Sequence, residues 1–285
     1  MADNRDWIMC QQYSDQLLAD GLLILRDQPA TEHTSAVSKE AGNYLVSLDG
    51  DALYVGEAKN LAKRTRQQFR QKTSTFFKTF LTRNTGSSVL IHRFRLRCTE
   101  TQVGRKELEE FGIVNVPCRL NKFQLGKRSE IDSSSATGGW SELQRHYAGI
   151  LAQGENELFS KPFVPWSASS LPTLAGIYVV RSPVGDDILY IGESSDIGAR
   201  YKTHSADTYF SALRRHVGTC LLGFSLKEKG GKFKYFTGEE NLKVSHFIRS
   251  CRIAYLPVTF GRYELEETMI RKYHPLLNRK DNKPL

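Results

Sequence analysis

Two seven-residue stretches in different halves of the chain restrict its architecture more than any other feature. Gly104-Arg-Lys-Glu-Leu-Glu-Glu110 and Gly261-Arg-Tyr-Glu-Leu-Glu-Glu267 agree at six of seven positions. Glu109 is followed twelve residues later by Asn121, and Glu266 twelve residues later by Asn278. Upstream, Tyr44 and Tyr54-Val-Gly56 in the first half match Tyr178 and Tyr190-Ile-Gly192 in the second, and Arg64 and Arg200 each fall eight residues after the glycine. Chance does not give one spacing twice across five position types. The sequence therefore predicts a duplicated unit in tandem, each copy running hairpin, basic helix, strand and helix.

The local signals fit that order. Residues 44–48 and 52–55 flank Asp49-Gly50-Asp51, where glycine readily takes the positive φ that a hairpin turn demands. Residues 175–180 and 188–192 flank a segment rich in turn formers. The paired tyrosines are ten and twelve residues apart, both even separations. Side chains alternate along strands, so a shared face requires an odd number of loop residues. Asn60 stands at a helix N-cap position before 61–72, a stretch dense in Lys63, Arg64, Arg66 and Arg70. Residues 89–97 alternate, with Arg93, Arg95 and Arg97 on one side and Phe94 and Leu96 on the other. Such a strand is either a phosphate rail or an edge guarded by charge. Residues 105–114 read as a helix stopped before Pro117, and a long helix starts at Arg262.

Outside the repeat, residues 1–28 have helical periodicity and 28–41 read as a loop, giving a structural arm over 1–40 that packs on the first domain. The first domain spans 41–128. Residues 129–139 are the low-complexity linker in a connecting region 129–170, with a helix over 140–151 and an irregular connector over 156–171. The second domain spans 171–285.

Net charge is +9, divided as 20 Lys+Arg against 15 Asp+Glu over residues 1–130 and 20 against 16 over the rest, so both halves attract a polyanion. The five cysteines show no CxxC spacing and no Cys/His grouping for zinc; they read as reduced, buried thiols of a cytoplasmic protein. The start is polar and acidic, unlike a signal peptide, and no run reaches 18 apolar residues, so no membrane association is expected.

Gly176-Ile-Tyr178 and Tyr190-Ile-Gly192, with Arg200, His204, Glu266 and Pro275-Leu-Leu-Asn278, resemble the GIY-YIG nuclease family. The resemblance extends to most of the chain through the first-half copy. It implies an α/β fold of the α+β kind: two domains, each a small, mainly antiparallel three-stranded sheet flanked by helices. It implies an endonuclease leaving 5′-phosphate and 3′-hydroxyl ends. It carries a site over to Tyr178, Tyr190, Arg200, His204 and Asn278, with Glu266 as the ligand of Mg²⁺ or Mn²⁺. In the first half the same positions are Tyr44, Tyr54, Arg64 and Asn121, with Glu109 as metal ligand. Lys63, Arg66, Arg70, Arg93, Arg95 and Arg97 are the candidate contacts to a DNA partner, most simply double-stranded.

The residue types suit the chemistry. One carboxylate can hold a Mg²⁺ that keeps most of its waters and takes a phosphate oxygen. A guanidinium can clamp the scissile phosphate at two points. A phenol serves as base only where nearby cations favour the phenolate. Three departures bear on this. Glu57 and Glu193 stand where the family often has Lys, Gln68 replaces the His204 equivalent, and Pro117 is one residue nearer its Glu than Pro275. Two working sites would cut both strands, as in a pseudo-dimeric restriction or defence enzyme. One would nick, as in repair, and none would leave a nucleic-acid-binding module with a nuclease fold.

Overall fold

The computed structural model describes residues 5–32, 36–70, 74, 76, 80, 91–118, 120–121, 138–206 and 208–278. The chain divides into an N-terminal unit, Ile8–Gly149, and a C-terminal unit made of Ile150–Leu285 with Met1–Trp7. The linker 129–139 lies outside the described residues except for its last two.

The N-terminal unit holds α1 (Arg5–Gln12, most of it), α2 (Ser14–Asp27), β1 (Thr31–Glu32), β2 (Gly42–Leu48), β3 (Asp51–Ala58), α3 (Leu61–Gln68), β4 (Phe94–Glu100) and α4 (Arg105–Asn115). Its sheet is antiparallel, in the order β1-β4-β2-β3. The expected three strands gain a fourth because Thr31 and Glu32, in the segment read as a loop, pair with Leu96 and Arg95. The strand predicted over 89–97 starts at Phe94, after a 3₁₀ turn at Ile91–Arg93. Arg93 therefore does not lie on the strand. The core is the β2/β3/β4 face carrying Tyr44, Val46, Phe94 and Leu96, packed with Leu61, Phe69, Phe76 and Phe80. The single N-terminal helix expected is two, α1 and α2, broken at Tyr13.

In the C-terminal unit, α5 (Trp140–Phe159) runs eight residues beyond its predicted end, across the division between units. Then come β5 (Val164–Pro165), β6 (Gly176–Arg181), β7 (Ile188–Ser194), α6 (Ile197–Ala206) and α7 (Ala212–His216). A small hairpin of β8 (Lys227–Lys229) and β9 (Lys232–Tyr235) follows, and α8 (Gly238–Ser250), β10 (Arg252–Pro257) and α9 (Arg262–Tyr273) complete it. The main sheet is again antiparallel and four-stranded, β5-β10-β6-β7. Its extra strand comes from the segment read as irregular connector, where Pro165 pairs with Arg252 on the sheet edge, a position that tolerates the missing donor. Trp7, from the segment read as an arm on the first domain, is buried in this unit against Gly154, with its backbone N–H on Gln153 Oε1 at 2.9 Å.

Both hairpins reach the shared tyrosine face by a route that loop counting did not foresee. In the first, Asp49 and Gly50 both have positive φ and form a two-residue loop, an even number. The register then shifts between Val46 and Ser47, so that Val46 faces Tyr54 while Ser47 faces Ala52. The bulged extra residue restores the parity. In the second, the shift falls between Val180 and Arg181, and Val180 faces Tyr190. Tyr44 and Tyr178 lie two residues from Val46 and Val180, hence on the same face as their partner tyrosines. The ring centroids are 6.0 Å apart in the first pair and 6.2 Å in the second, with near-parallel planes.

The expectation of buried thiols holds for Cys10, Cys118 and Cys251; Cys98 is half-buried and Cys220 is exposed, and none of the five is in a disulfide. Among the described residues no helix is long and apolar enough to cross a membrane.

Candidate active site

The C-terminal site is built on the β6/β7 hairpin, roofed by α6 and flanked by α9. Tyr178 and Tyr190 project side by side, and α6 brings His204 over both, with ring centroids 5.7 and 5.9 Å away. The Tyr178 hydroxyl hydrogen-bonds His204 Nε2 at 2.7 Å, and His204 Nδ1 hydrogen-bonds Ser211 Oγ at 2.6 Å. Ser211 also caps α7 by accepting the Arg214 N–H at 3.0 Å. His204 is fully buried. Burial, then the guanidinium charges of Arg200 and Arg214, hold its pKa well below the ordinary 6.5, so the ring is neutral.

Gly192 explains the second tripeptide: a Cβ there would overlap the Tyr178 phenol, so only glycine lets the first tyrosine lie across the neighbouring strand. Gly56 has the same relation to Tyr44. Asn278 fixes the strand that carries Tyr190. Its Oδ1 accepts the Ile191 N–H at 2.9 Å and its Nδ2 donates to the Ile191 carbonyl at 2.7 Å. With both ends occupied, Asn278 positions the site instead of facing the reaction.

Arg200, half-buried on α6, lies against both phenols. Burial works against its charge, but the Tyr178 and Tyr190 oxygens outweigh this and raise its pKa. Glu266, on the first turns of α9, accepts the Glu193 N–H at 3.1 Å. Burial, then the Glu266 charge, push Tyr190 up to about 12, and burial, then Tyr190, hold Tyr178 well above 10. Glu266 is the carboxylate whose charge raises both tyrosines. Glu193 Oε2 accepts from Arg262 Nε at 2.6 Å, and Arg262 is almost wholly buried, so this charge is neutralised locally.

In the N-terminal unit Tyr44, Tyr54, Arg64, Glu109 and Asn121 come together in the same relation. Asn121 brackets Val55 through both side-chain atoms, at 2.9 and 2.8 Å. Arg64 reaches both phenols and is held above its usual pKa by them, against the effect of burial. Two differences stand out. Gln68 Nε2 donates to the Tyr44 hydroxyl at 2.7 Å where the other unit has an imidazole. Lys106, the one mismatch in the repeated heptapeptide, puts its ammonium 2.6 Å from Glu109 Oε2. Burial disfavours the Lys106 charge, but Glu109, then Glu110 and Glu57, outweigh it and raise its pKa. The corresponding residue of the second heptapeptide is Tyr263, which carries no charge to match the ammonium.

The proposed nucleic-acid contacts separate into two sets. Lys63, Arg66 and Arg70 are exposed on α3 and the residues after it. The rail is not a free row. Arg93 pairs with Asp49, Arg95 NH1 donates to the His92 and Phe94 carbonyls at 2.5 and 3.1 Å, and Arg97 Nε donates to the Gln28 carbonyl at 3.1 Å. Sequence reasoning missed Ser211, Arg214, Arg215 and Arg262. Arg215 is near enough to Arg200 that burial, then that like charge, lower its pKa. The only available signal was the run of basic residues before His216, which does not reveal which of them turn inward.

Residues 177–285 match the family model described as the GIY-YIG catalytic domain. Comparison with curated proteins and with solved structures returns no match. The match covers the unit that carries Tyr178, Tyr190, Arg200, His204, Glu266 and Asn278, and it points to nuclease activity on a nucleic acid.

Proposed function

We propose that the chain is a metal-dependent DNA endonuclease with one working site, in the C-terminal unit, and that the N-terminal unit is a diverged tandem copy that grips nucleic acid without cutting it. The observation that carries this reading is the convergence of two phenols, a guanidinium, a neutral imidazole and one carboxylate on the face of the matched hairpin.

A divalent ion fits the donors present. Glu266 is a single half-buried carboxylate beside the phenols, which suits Mg²⁺ or Mn²⁺ retaining most of its waters. Among the described residues no group of three or more His, Cys, Asp or Glu forms a closed cage. Bound there, the ion supplies positive charge to a phosphate oxygen and acidifies coordinated water. Arg200, with Arg215 behind it, presents guanidinium donors to the scissile phosphate. Tyr190 orients the attacking water and takes its proton when ionised. Neutral His204 holds the Tyr178 hydroxyl through a hydrogen bond at Nε2 and is steadied through Nδ1 by Ser211. Products with 5′-phosphate and 3′-hydroxyl ends follow from attack at phosphorus with departure of the 3′-oxygen.

The N-terminal unit keeps Arg64 and the exposed cations of α3, but its Glu109 already has a tethered cation in Lys106. Nicking is therefore favoured over double-strand cleavage. The test is supercoiled plasmid with Mg²⁺ or Mn²⁺ against an EDTA control. Open circles that form only with metal, and vanish in Glu266→Gln, support the reading. Linear product from the first turnover contradicts the single site, and plasmid shifted on a gel but never cut contradicts cleavage altogether.

A further inference from the structure

A turn outside the repeated pattern is fastened to the C-terminal site and carries a largely exposed aromatic ring. Residues 208–211 lie between α6 and α7. Phe210 is 66% exposed, an unusual state for phenylalanine next to a fully buried histidine. Its backbone is held in place. Arg200 Nη1 donates to the Phe210 carbonyl at 3.2 Å, and Arg215 Nη1 donates to the carbonyls of Thr208 and Tyr209 at 2.9 and 2.5 Å. Ser211, the next residue, carries the hydroxyl that meets His204. The guanidinium that faces both phenols therefore also anchors the residue that displays this ring.

The ring has a support. Tyr209 meets Phe210 edge-to-face, with centroids 4.7 Å apart, and is itself backed by Tyr235 at 5.4 Å and by Lys234 Nζ, 4.9 Å from its ring centre. An exposed apolar face on a backbone held by two guanidiniums, with an ammonium on the neighbouring ring, is a combination by which proteins hold an unpaired base: the face stacks, and cations meet the flanking phosphates. A fully paired duplex offers no base face to such a ring.

We infer that Phe210 is a stacking platform for an unpaired or extruded nucleobase next to the scissile phosphate, so that the preferred substrate is nucleic acid interrupted at the cut position instead of uniform duplex. This rests on the endonuclease reading above and narrows its substrate class. Tyr209, Tyr235 and Lys234 act as positioning residues for the platform.

The experiment uses the full chain with Ca²⁺ in place of Mg²⁺, so that binding is read without turnover. Two labelled DNAs are compared, one a continuous duplex and one identical but carrying a single unpaired 2-aminopurine. Wild type is expected to bind the interrupted DNA about tenfold more tightly and to quench the probe, the scale of one base–aromatic stack. Phe210→Ala should erase both the preference and the quenching while leaving duplex affinity within about twofold, and Phe210→Trp should restore both. Because the ring is exposed, its removal leaves the core untouched. Equal preference in wild type and Phe210→Ala overturns the platform alone, provided plasmid nicking with Mg²⁺ persists. Failure to bind or cut either DNA overturns the endonuclease reading, and the platform with it.

Discussion

In the C-terminal unit the first phenol meets an imidazole and the acidic residue of the last helix stands beside a tyrosine. In the N-terminal unit the first phenol meets an amide and the acidic residue is bound by an ammonium one helical turn away. Much of the frame around these points is alike. The bulged hairpins agree, the glycines that admit the first phenols agree, and the asparagine brackets agree to within about 0.1 Å. On the proposed reading, a frame is kept while its chemistry is removed through two side chains. Amide and imidazole both satisfy a buried phenol, but only the imidazole offers a ring nitrogen that can either donate or accept. An ammonium satisfies a buried carboxylate as well as a metal would, but it brings no activated water.

The sharpest way to break the comparison is to remove the two carboxylates separately. Glu266→Gln should reduce plasmid nicking on the order of a thousandfold, the scale of losing one contact to developing charge, whereas Glu109→Gln should leave the rate unchanged. An equal loss in both variants, in a quantitative nicking assay, would make the units equivalent after all. The reverse change is nearly as informative. Lys106→Tyr withdraws the ammonium and leaves Glu109 close to Glu57, whose Oε2 is buried without a hydrogen-bond partner. Bound Mn²⁺ counted by electron paramagnetic resonance should rise from about one to about two per chain. A count unchanged from wild type would show that the lysine is not what closes the first site.

Acidity should separate the units too. Tyr190 is held up at about 12, so a reaction that needs its phenolate should speed up about tenfold per pH unit across the neutral and mildly alkaline range. Tyr190→Phe should flatten that profile as well as lower it. For stability the relevant group is His204. Its folded pKa is depressed, so the unfolded chain binds the proton more readily, and the stabilisation is complete above 6.5 and is lost as pH falls below it. Gln68 does not titrate. Hydrogen exchange should show the C-terminal unit loosening on acidification, and His204→Gln should remove that part of the response. The smallest difference is expected at the asparagines. Asn278→Ala and Asn121→Ala each orphan one strand N–H and one carbonyl, roughly 2–4 kcal/mol by denaturant titration, and the two values should match.

Much of this frame was legible in the residues alone. The hairpins, the Asn60 cap, whose side chain accepts the Lys63 N–H at 2.8 Å, and the helices opening after Gly104 and Gly261 all follow local rules. Both glycines have positive φ, which only glycine adopts cheaply. What stayed hidden was long-range. Two-residue edge strands such as Thr31–Glu32 and Val164–Pro165 are too short to have a period, and only the waiting sheet edge makes them strands. Alternation suggested that Arg93, Arg95 and Arg97 form a row, but each guanidinium found a carboxylate or carbonyl that periodicity does not encode. Lys106 was visible as a mismatch, and its meaning emerged only when its ammonium lay against Glu109.

The bulges near Leu53 and Leu189 carry a consequence for how such a domain can vary. Each supplies the single out-of-step residue that keeps both phenols on one side of the ribbon. Trimming one residue from the ribbon would straighten it and turn the outer phenol toward the opposite layer, leaving a folded protein without a working centre. Trimming two would preserve the phase. Length changes at this tip should therefore be tolerated in even steps and lethal to function in odd ones.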